Sequence, residues 1–385
     1  MLYLDNAATT WPKPERVRAV VHDWLEHGGG SPGRGTHAFA RKAGDVLSLT
    51  RRSLARFFNA PHEHRIIFCA SATDGLNLAL KGFLDPGDHV LISAMEHNSV
   101  LRPLRGLQQE RGISLDIVPC DSAGRLDPDE VARRMTDRTR LVVVSHASNV
   151  TGAVQPVAEI GRLVRERGAY LLVDAAQTAG LLPIDFQKSL NADLLVFSGH
   201  KGLYGLQGTG ALIIGERIKS LRPWREGGTG FNSLSEEQPA EWPERFEAGT
   251  PNVPGILALG EGIAFLAAEG VDKVRVKEEA LLAGLWRGLS ELDGLTLHGP
   301  PPGKDRIAIL SFSIRGWEPE DIGNILHHNH GIQVRTGLHC APLAHRTLGT
   351  LPLGTVRLSP GCFTTAEEIR QAVTAIRMIA ETVLP

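Results

Sequence analysis

Short apolar runs recur along the first half of the chain. Each is closed by small polar residues and followed by an amphipathic stretch. The runs at 65–69, 89–93, 114–119, 140–145, 170–173, 194–197 and 211–214 have the length and apolar content of strands. Between them, 71–80, 100–111, 127–135 and 156–167 repeat apolar residues at helical spacing, and two helical stretches, 15–27 and 37–59, precede the first run. Such alternation predicts βαβ units and an α/β fold with a mostly parallel central sheet. From about 253 the pattern restarts. Helices are expected at 253–269, 272–292, 319–330 and 366–381, with strands at 306–313, 332–335 and 355–359. A large domain over 15–252 and a smaller α/β domain over 253–385 follow from that break.

A parallel sheet binds ligands beyond the carboxyl ends of its strands. Polar residues gather at those ends here: Thr73, His97, Asn149, Asp174, Gln177, His200 and Lys201 all follow strands. Each alone reads as turn or cap chemistry. Together they indicate a pocket. The stretch Ser198-Gly199-His200-Lys201-Gly202 closes the uninterrupted run Leu194 to Phe197. A lysine there is either a surface residue in a glycine-rich turn or an amine stripped of water. In the second case it releases its proton more easily and can attack a carbonyl.

An aldehyde cofactor with a phosphate tail needs a lysine for a Schiff base, an acid for its ring nitrogen, an imidazole or aromatic face, a partner for its ring hydroxyl and a phosphate cradle. Lys201, Asp174, His97, Gln177 and the helix start at Ser71-Ala72-Thr73 meet those needs in turn. The alternatives are an N-capping aspartate and N-capping hydroxyls, although a helix start is also an anion site.

Composition removes other classes. The chain has 385 residues, is 42% hydrophobic and 22% charged, and carries a net charge of −2. That balance offers no general attraction to nucleic acid or to an anionic membrane. No apolar run approaches the roughly 20 residues of a membrane span, and the opening Met1-Leu2-Tyr3-Leu4-Asp5 has no basic, apolar leader character. Cys69, Cys120, Cys340 and Cys362 form no Cys-x-x-Cys pair, so reduced thiols and a cytoplasmic location are expected.

Three further motifs lack the context their chemistry requires. Gly29-Gly30-Ser31-Pro32-Gly33 matches a hydrolase elbow but follows a helix rather than a strand. Gly299 to Lys304 is too short for a phosphate loop, with Asp305 where Ser or Thr should stand. His327-His328-Asn329-His330 sits at a helix end with no acid or thiol at ligand spacing, so no metal site is expected.

The chain resembles the class V aminotransferase group of pyridoxal-phosphate enzymes, and within it the cysteine desulfurases and selenocysteine lyases. The resemblance rests on Tyr3-Leu4-Asp5-Asn6-Ala7-Ala8, Ser71-Ala72-Thr73, Glu96-His97, Ser148-Asn149-Val150-Thr151-Gly152, Val173-Asp174-Ala175-Ala176-Gln177, Ser198-Gly199-His200-Lys201, Phe246-Glu247-Ala248-Gly249-Thr250-Pro251-Asn252 and Val334-Arg335-Thr336-Gly337-Leu338-His339-Cys340. These occur in order and span nearly the whole chain.

It implies a type I pyridoxal-phosphate fold, with residues 1–14 packing on the small domain, and a homodimer. It implies pyridoxal 5'-phosphate on Lys201, with His97 stacked on the ring, Asp174 at the ring nitrogen and Gln177 at the ring hydroxyl. Ala72, Thr73, Ser198 and His200 would hold the phosphate, with Thr250 reaching in from a second subunit. Asn149, Arg335 and Arg357 would contact an amino-acid substrate. Cys340 stands at the sulfur-accepting position. The implied reaction takes sulfur from L-cysteine, leaves alanine and makes a persulfide on Cys340, with iron–sulfur cluster assembly as its setting. Arg335 and His339 are the candidates to favour the Cys340 thiolate.

The run Gly202 to Gly210 is slightly longer than the desulfurase pattern, and Asn98 replaces a second histidine. The short Thr336–His339 spacer resembles the desulfurase group with a short, ordered cysteine loop, and that resemblance implies a sulfur-accepting partner protein. Two other activities use the same residues differently. One is a selenocysteine lyase, another lyase or an aminotransferase with no role for Cys340. The other is a Cys–His hydrolase built on Cys340 with His339 or His200.

Overall fold

The computed structural model describes residues 1–33 and 35–382. In chain order the elements are β1 (Leu2–Tyr3), α1 (Glu15–His27), α2 (Ala38–Phe57), β2 (Ile66–Cys69), α3 (Ala72–Phe83), β3 (His89–Ser93), α4 (Asn98–Arg111), β4 (Ser114–Val118), α5 (Pro128–Arg134), β5 (Thr139–Ser145), α6 (Val157–Glu166), β6 (Tyr170–Asp174), β7 (Leu194–Ser198) and β8 (Gly210–Ile214). Then follow α7 (Val253–Glu269), α8 (Val271–Leu289), β9 (Leu295–His298), β10 (Leu310–Ile314), α9 (Pro319–His330), β11 (Ile332–Gln333), β12 (Arg335–Gly337), α10 (Pro342–Leu348), β13 (Thr355–Leu358) and α11 (Ala366–Glu381).

Seven strands form the central sheet in the order β2-β8-β7-β6-β5-β3-β4. Strands β7, β6, β5, β3 and β4 run parallel, and only β8 runs antiparallel to its neighbours β2 and β7. Alternate residues of each central strand serve two different cores. Leu195 and Phe197 face one with α2, α6 and α7; Leu194 and Val196 face the other with α3 and α4. Both faces are therefore dry, which explains why β7 reads as an unbroken apolar run rather than an alternating one. Each such Val or Leu contributes roughly 1.5–3 kcal/mol by burial.

The smaller unit has an antiparallel sheet in the order β12-β13-β10-β9 and a parallel pair β1-β11. Leu2 and Leu4 share its core with residues of α8, α9 and α11. The next few residues of the amino terminus run the other way, onto the loop after β7, where Thr10 Oγ1 lies 3.1 Å from the Lys201 carbonyl.

Several elements differ from the sequence expectation. Helix α7, on the small-domain side of a boundary at 252, buries Val253, Ile256, Leu259, Ile263 and Leu266 in the large-domain core. Val274 near the start of α8 joins that core too, whereas Leu281, Leu282, Leu285 and Leu289 of the same helix enter the small-domain core. The run at 332–335 is split, because β11 pairs with β1 whereas β12 pairs with β13. Strand β9 and helix α10 were not expected from the pattern. Among the described residues no single helix is long and apolar enough to cross a membrane.

Candidate active site

Strands β2, β3, β5, β6 and β7 all end at one edge of the sheet, and their following loops enclose a cavity of about 230 Å³. Ala72, Thr73, His97, Asn149, Asp174, Gln177, Ser198, His200 and Lys201 line it. These are the predicted pocket residues of the large domain, apart from Thr250. Ser99, Ser145, Ala147 and Ala176 line it as well, without having been singled out from the sequence.

Lys201 follows β7 by three residues. Gly202 beside it allows close packing: a Cβ there would lie 2.5 Å from the Ala179 carbonyl oxygen. Desolvation lowers the Lys201 amine to about 8, with Arg357 and Arg335 pushing the same way and Asp174 opposing. Asp174 closes β6 and is buried. Burial raises its carboxyl, while the Ala176 N–H (2.9 Å to Oδ1) and the charge on Lys201 draw it back. A buried carboxylate with so few partners calls for a cation facing it.

His97 caps α4: its Nδ1 accepts the Ser99 N–H at 3.1 Å. Burial first, then Lys201 and three arginines, lower this imidazole to about 4. The ring is thus neutral at pH 7, and because Nδ1 is an acceptor its hydrogen is assigned to Nε2. His200 is likewise lowered to about 4, by burial and then by Lys201 and Lys13, and its Nδ1 is buried without a partner. Ser71 caps α3 by accepting the Asp74 N–H at 3.2 Å, and Ser198 Oγ accepts the Ala72 N–H at 3.0 Å. The first turn of α3 therefore faces the cavity with its positive dipole end.

Glu96 lies completely buried behind this wall. It accepts Ser93 Oγ at 2.5 Å, Ser145 N–H at 2.8 Å and Ser145 Oγ at 2.8 Å. Burial lifts its carboxyl to about 7 despite those bonds, with Asp174 adding to the rise. It stiffens the ends of β3 and β5, which carry His97 and Asn149.

Four predicted residues lie off the cavity lining. Arg357 is buried, donates from Nη2 to Asp5 Oδ1 at 2.8 Å and from Nη1 to the Asn149 carbonyl at 3.1 Å. Arg335 stands directly opposite it across β12 and β13 and is exposed. Thr250 is exposed and lines a separate cavity of about 170 Å³ with Arg225 and Glu247. Cys340 is exposed, in a turn closed by Ala341 N–H to the Leu338 carbonyl at 2.8 Å. Both central residues of that turn have positive φ, His339 at 48° and Cys340 at 58°.

The turn is pinned to the cavity wall. Asn149 Nδ2 donates to the His339 carbonyl at 2.7 Å, and the Asn98 N–H donates to the Cys340 carbonyl at 2.7 Å. His339 cannot supply the positive charge expected of it. Burial, then Arg357, His345 and Arg335, lower its imidazole to about 2. Arg335 is the one remaining candidate of that pair. The ring Nε2 of His339 is 3.1 Å from Thr355 Oγ1, a structural contact rather than a poised base.

The cavity meets the demands of an aldehyde cofactor with an anionic tail in four respects: an amine at reduced pKa, a buried carboxylate short of partners, a neutral imidazole, and a helix start beside the unpartnered His200 Nδ1. Comparison with known proteins agrees with this chemistry. The family model described as aminotransferase class-V matches residues 2–372. A cysteine desulfurase of Salmonella typhimurium is 34% identical over 98% of this chain and 93% of its own length. Among solved structures, the apo structure of a cysteine desulfurase from Thermococcus onnurineus superposes with a TM-score of 0.93 at 32% identity, covering 99% of this chain and 94% of that one. The cysteine desulfurase CsdA of Escherichia coli, in its S-sulfonic acid form, gives 0.87 at 28% identity over 98% and 94%. By the motifs, the fold and these matches, the chain belongs to the aminotransferase class-V family.

Proposed function

We propose that this protein is a pyridoxal-phosphate-dependent cysteine desulfurase that takes sulfur from L-cysteine and leaves alanine. The observation that carries the reading is that Lys201 and Asp174, from adjacent strands β7 and β6, line one cavity. Pyridoxal phosphate, when bound, supplies an electron sink for the bond-breaking at the amino acid. Lys201 would hold its aldehyde, Asp174 its ring nitrogen, Gln177 its hydroxyl, and Ala72, Thr73, Ser198 and His200 its phosphate.

The chain's own groups then account for the rest. An amine lowered to about 8 exchanges a proton near neutral pH, so Lys201 serves as acid and base at the substrate carbon. His97, neutral, offers a flat face and an Nε2–H without adding charge. Arg357 and Arg335 present two guanidinium groups against one carboxylate, Asp5, which leaves a net positive site for the carboxylate of the amino acid. Cys340 is the nucleophile toward sulfur. Its thiolate forms an S–S bond with the substrate sulfur while the substrate C–S bond breaks. That electron pair stays on carbon, which takes a proton to become alanine. The exposed turn then offers the persulfide to a sulfur-accepting protein.

Thr250 is exposed and lines a cavity other than the one holding Lys201 in its own chain, which supports a homodimer in which it completes the partner subunit's site. Two substitutions test the reading. Lys201→Ala should fold, yet lose all turnover and the covalent attachment of the yellow cofactor that borohydride fixes on Lys201 in the wild type. Cys340→Ser should keep the colour and lose sulfide release from L-cysteine. A colourless wild-type protein that takes up no pyridoxal phosphate would remove the basis for the proposal. Retention of desulfurase activity by Cys340→Ser would leave a lyase or aminotransferase in its place.

A further inference from the structure

We infer that the segment from Asp5 to Lys13 is a strap that couples a carboxylate seated on Arg357 to the position of Lys201, with Asp5 as its positioning residue. The inference rests on the reading of Arg357 as the site of the substrate carboxylate.

One end of the strap lies at the arginines. Arg335 and Arg357 are direct cross-strand partners, so their side chains share a face of the sheet, an arrangement that is unfavourable without an anion. Asp5 provides one carboxylate, 2.8 Å from Arg357 Nη2, and Arg357 Nε remains buried without a partner. A second carboxylate is needed to balance the pair. On arrival it must share the guanidinium with Asp5.

The other end lies at the lysine. The Asp5 carbonyl accepts the Ala8 N–H at 3.1 Å and the Tyr3 hydroxyl at 3.2 Å, so the chain turns back on itself there. The next residues converge on the peptide just before Lys201. The His200 carbonyl lies 3.2 Å from Thr10 N, 3.2 Å from Thr9 Oγ1, 3.2 Å from Thr10 Oγ1 and 2.9 Å from Lys13 Nζ. Thr10 Oγ1 is also 3.1 Å from the Lys201 carbonyl. A small second cavity of about 20 Å³ lies between strap and lysine, lined by Asn6, Thr10, Gln177, Lys201 and Ser359. That gives the Lys201 side room to shift by the size of one water. The strap therefore bridges the arginine pair and the Lys201 peptide through one short chain segment, and each end is held by polar contacts.

The test uses Asp5→Asn, Asp5→Glu, Thr10→Val and the double variant Asp5→Asn/Thr10→Val, each checked for folding by circular dichroism. On the cofactor-loaded enzyme, Asp5→Asn should lower kcat for L-cysteine about tenfold with KM no higher than wild type, and Asp5→Glu should restore part of kcat. The double variant should be no worse than the poorer single one, since both cut the same connection. On the cofactor-free protein, reductive methylation of Lys201 is followed by peptide mass spectrometry with and without propionate. Propionate should change the wild-type rate severalfold. In Thr10→Val, which loses the direct contact with the Lys201 carbonyl, that effect should shrink severalfold while calorimetry still detects propionate binding. An unchanged propionate effect in Thr10→Val, or fully additive variants, would overturn the strap. If Asp5→Asn does not fold, the Thr10→Val arm decides alone. The underlying reading fails separately: Arg357→Lys with unchanged KM, or wild type that binds no propionate, would refute the carboxylate site itself.

Discussion

The amide of Asn98 donates to the carbonyl of Cys340 at 2.7 Å, which ties the exposed cysteine to the first residue of α4. The neighbouring residue on that helix start, His97, lines the cavity. One peptide thus connects the proposed sulfur acceptor with the proposed ring-stacking group. The turn it restrains carries two non-glycine residues at positive φ, which costs energy and persists only under such restraint.

Asn98→Pro isolates that contact. Asn98 is the first helical residue, where proline is well tolerated, and His97 before it already has the extended backbone that proline demands (ψ 156°). The variant should fold with a melting temperature close to wild type and bind pyridoxal phosphate normally. Sulfide release should fall about tenfold, because Cys340 no longer holds its place. Steady-state assay beside an absorbance measurement of bound cofactor separates the two effects.

The cavity was legible in the sequence because its residues sit at strand ends. A buried strand is a conspicuous apolar run, and the polar residue that ends it marks one sheet edge. Lys201, Asp174 and His97 were readable on that ground alone. Arg335 and Arg357 are named only through the resemblance, and the pairing of Arg357 with Asp5 was not legible at all. Asp5 and Arg357 lie 352 positions apart, and nothing local in Leu4-Asp5-Asn6 announces a guanidinium. Likewise the reversal of β8 is a matter of chain direction, which an apolar run does not encode. Strand β9 is short and half-exposed, and the division of 332–337 between two sheets depends on partners distant in the chain. The apolar residues of helix α7 are spread around its whole circumference, so the pattern does not indicate which core it enters.

The amine of Lys201 should titrate near pH 8 in the cofactor-free protein, well below an ordinary lysine. Below that pH it is an ammonium ion and unreactive; above it the free amine is alkylated. The methylation rate at Lys201 against pH should therefore show a midpoint near 8. Asp174 raises the value of Lys201, so Asp174→Asn should move the midpoint lower. A midpoint at the same pH as exposed lysines would show that the amine is not desolvated.

Glu278 on α8 is buried, and desolvation lifts its carboxyl to about 8, with Lys277 drawing it back. In the unfolded chain the same group titrates near 4.5, the ordinary value of a glutamate. Its contribution to stability is thus complete below about 4.5 and is lost as pH rises toward 8, at about 1.4 kcal/mol per pH unit if no other group compensates. Urea denaturation of wild type against Glu278→Gln should show the wild type losing more stability between pH 5 and pH 8, where the two values bracket the titration. Parallel curves would place Glu278 in contact with water.

Thr250 offers a test of the dimer that needs no structure. It lines a cavity other than the one holding Lys201, and its proposed role is at the partner subunit's site. If Thr250 completes the partner subunit's site, then Lys201→Ala and Thr250→Ala variants damage different chains of each site. Homodimers of Lys201→Ala should be inactive, and those of Thr250→Ala should bind pyridoxal phosphate more weakly. In a mixed dimer, one site combines the intact Lys201 of the Thr250→Ala chain with the intact Thr250 of its partner. Unfolding and refolding the two variants together should therefore restore tight cofactor binding to about one site in four, since half of randomly paired dimers are mixed and each has one such site. Fluorescence titration with pyridoxal phosphate reads this directly, and its absence in a mixture proven to be mixed would confine Thr250 to its own chain.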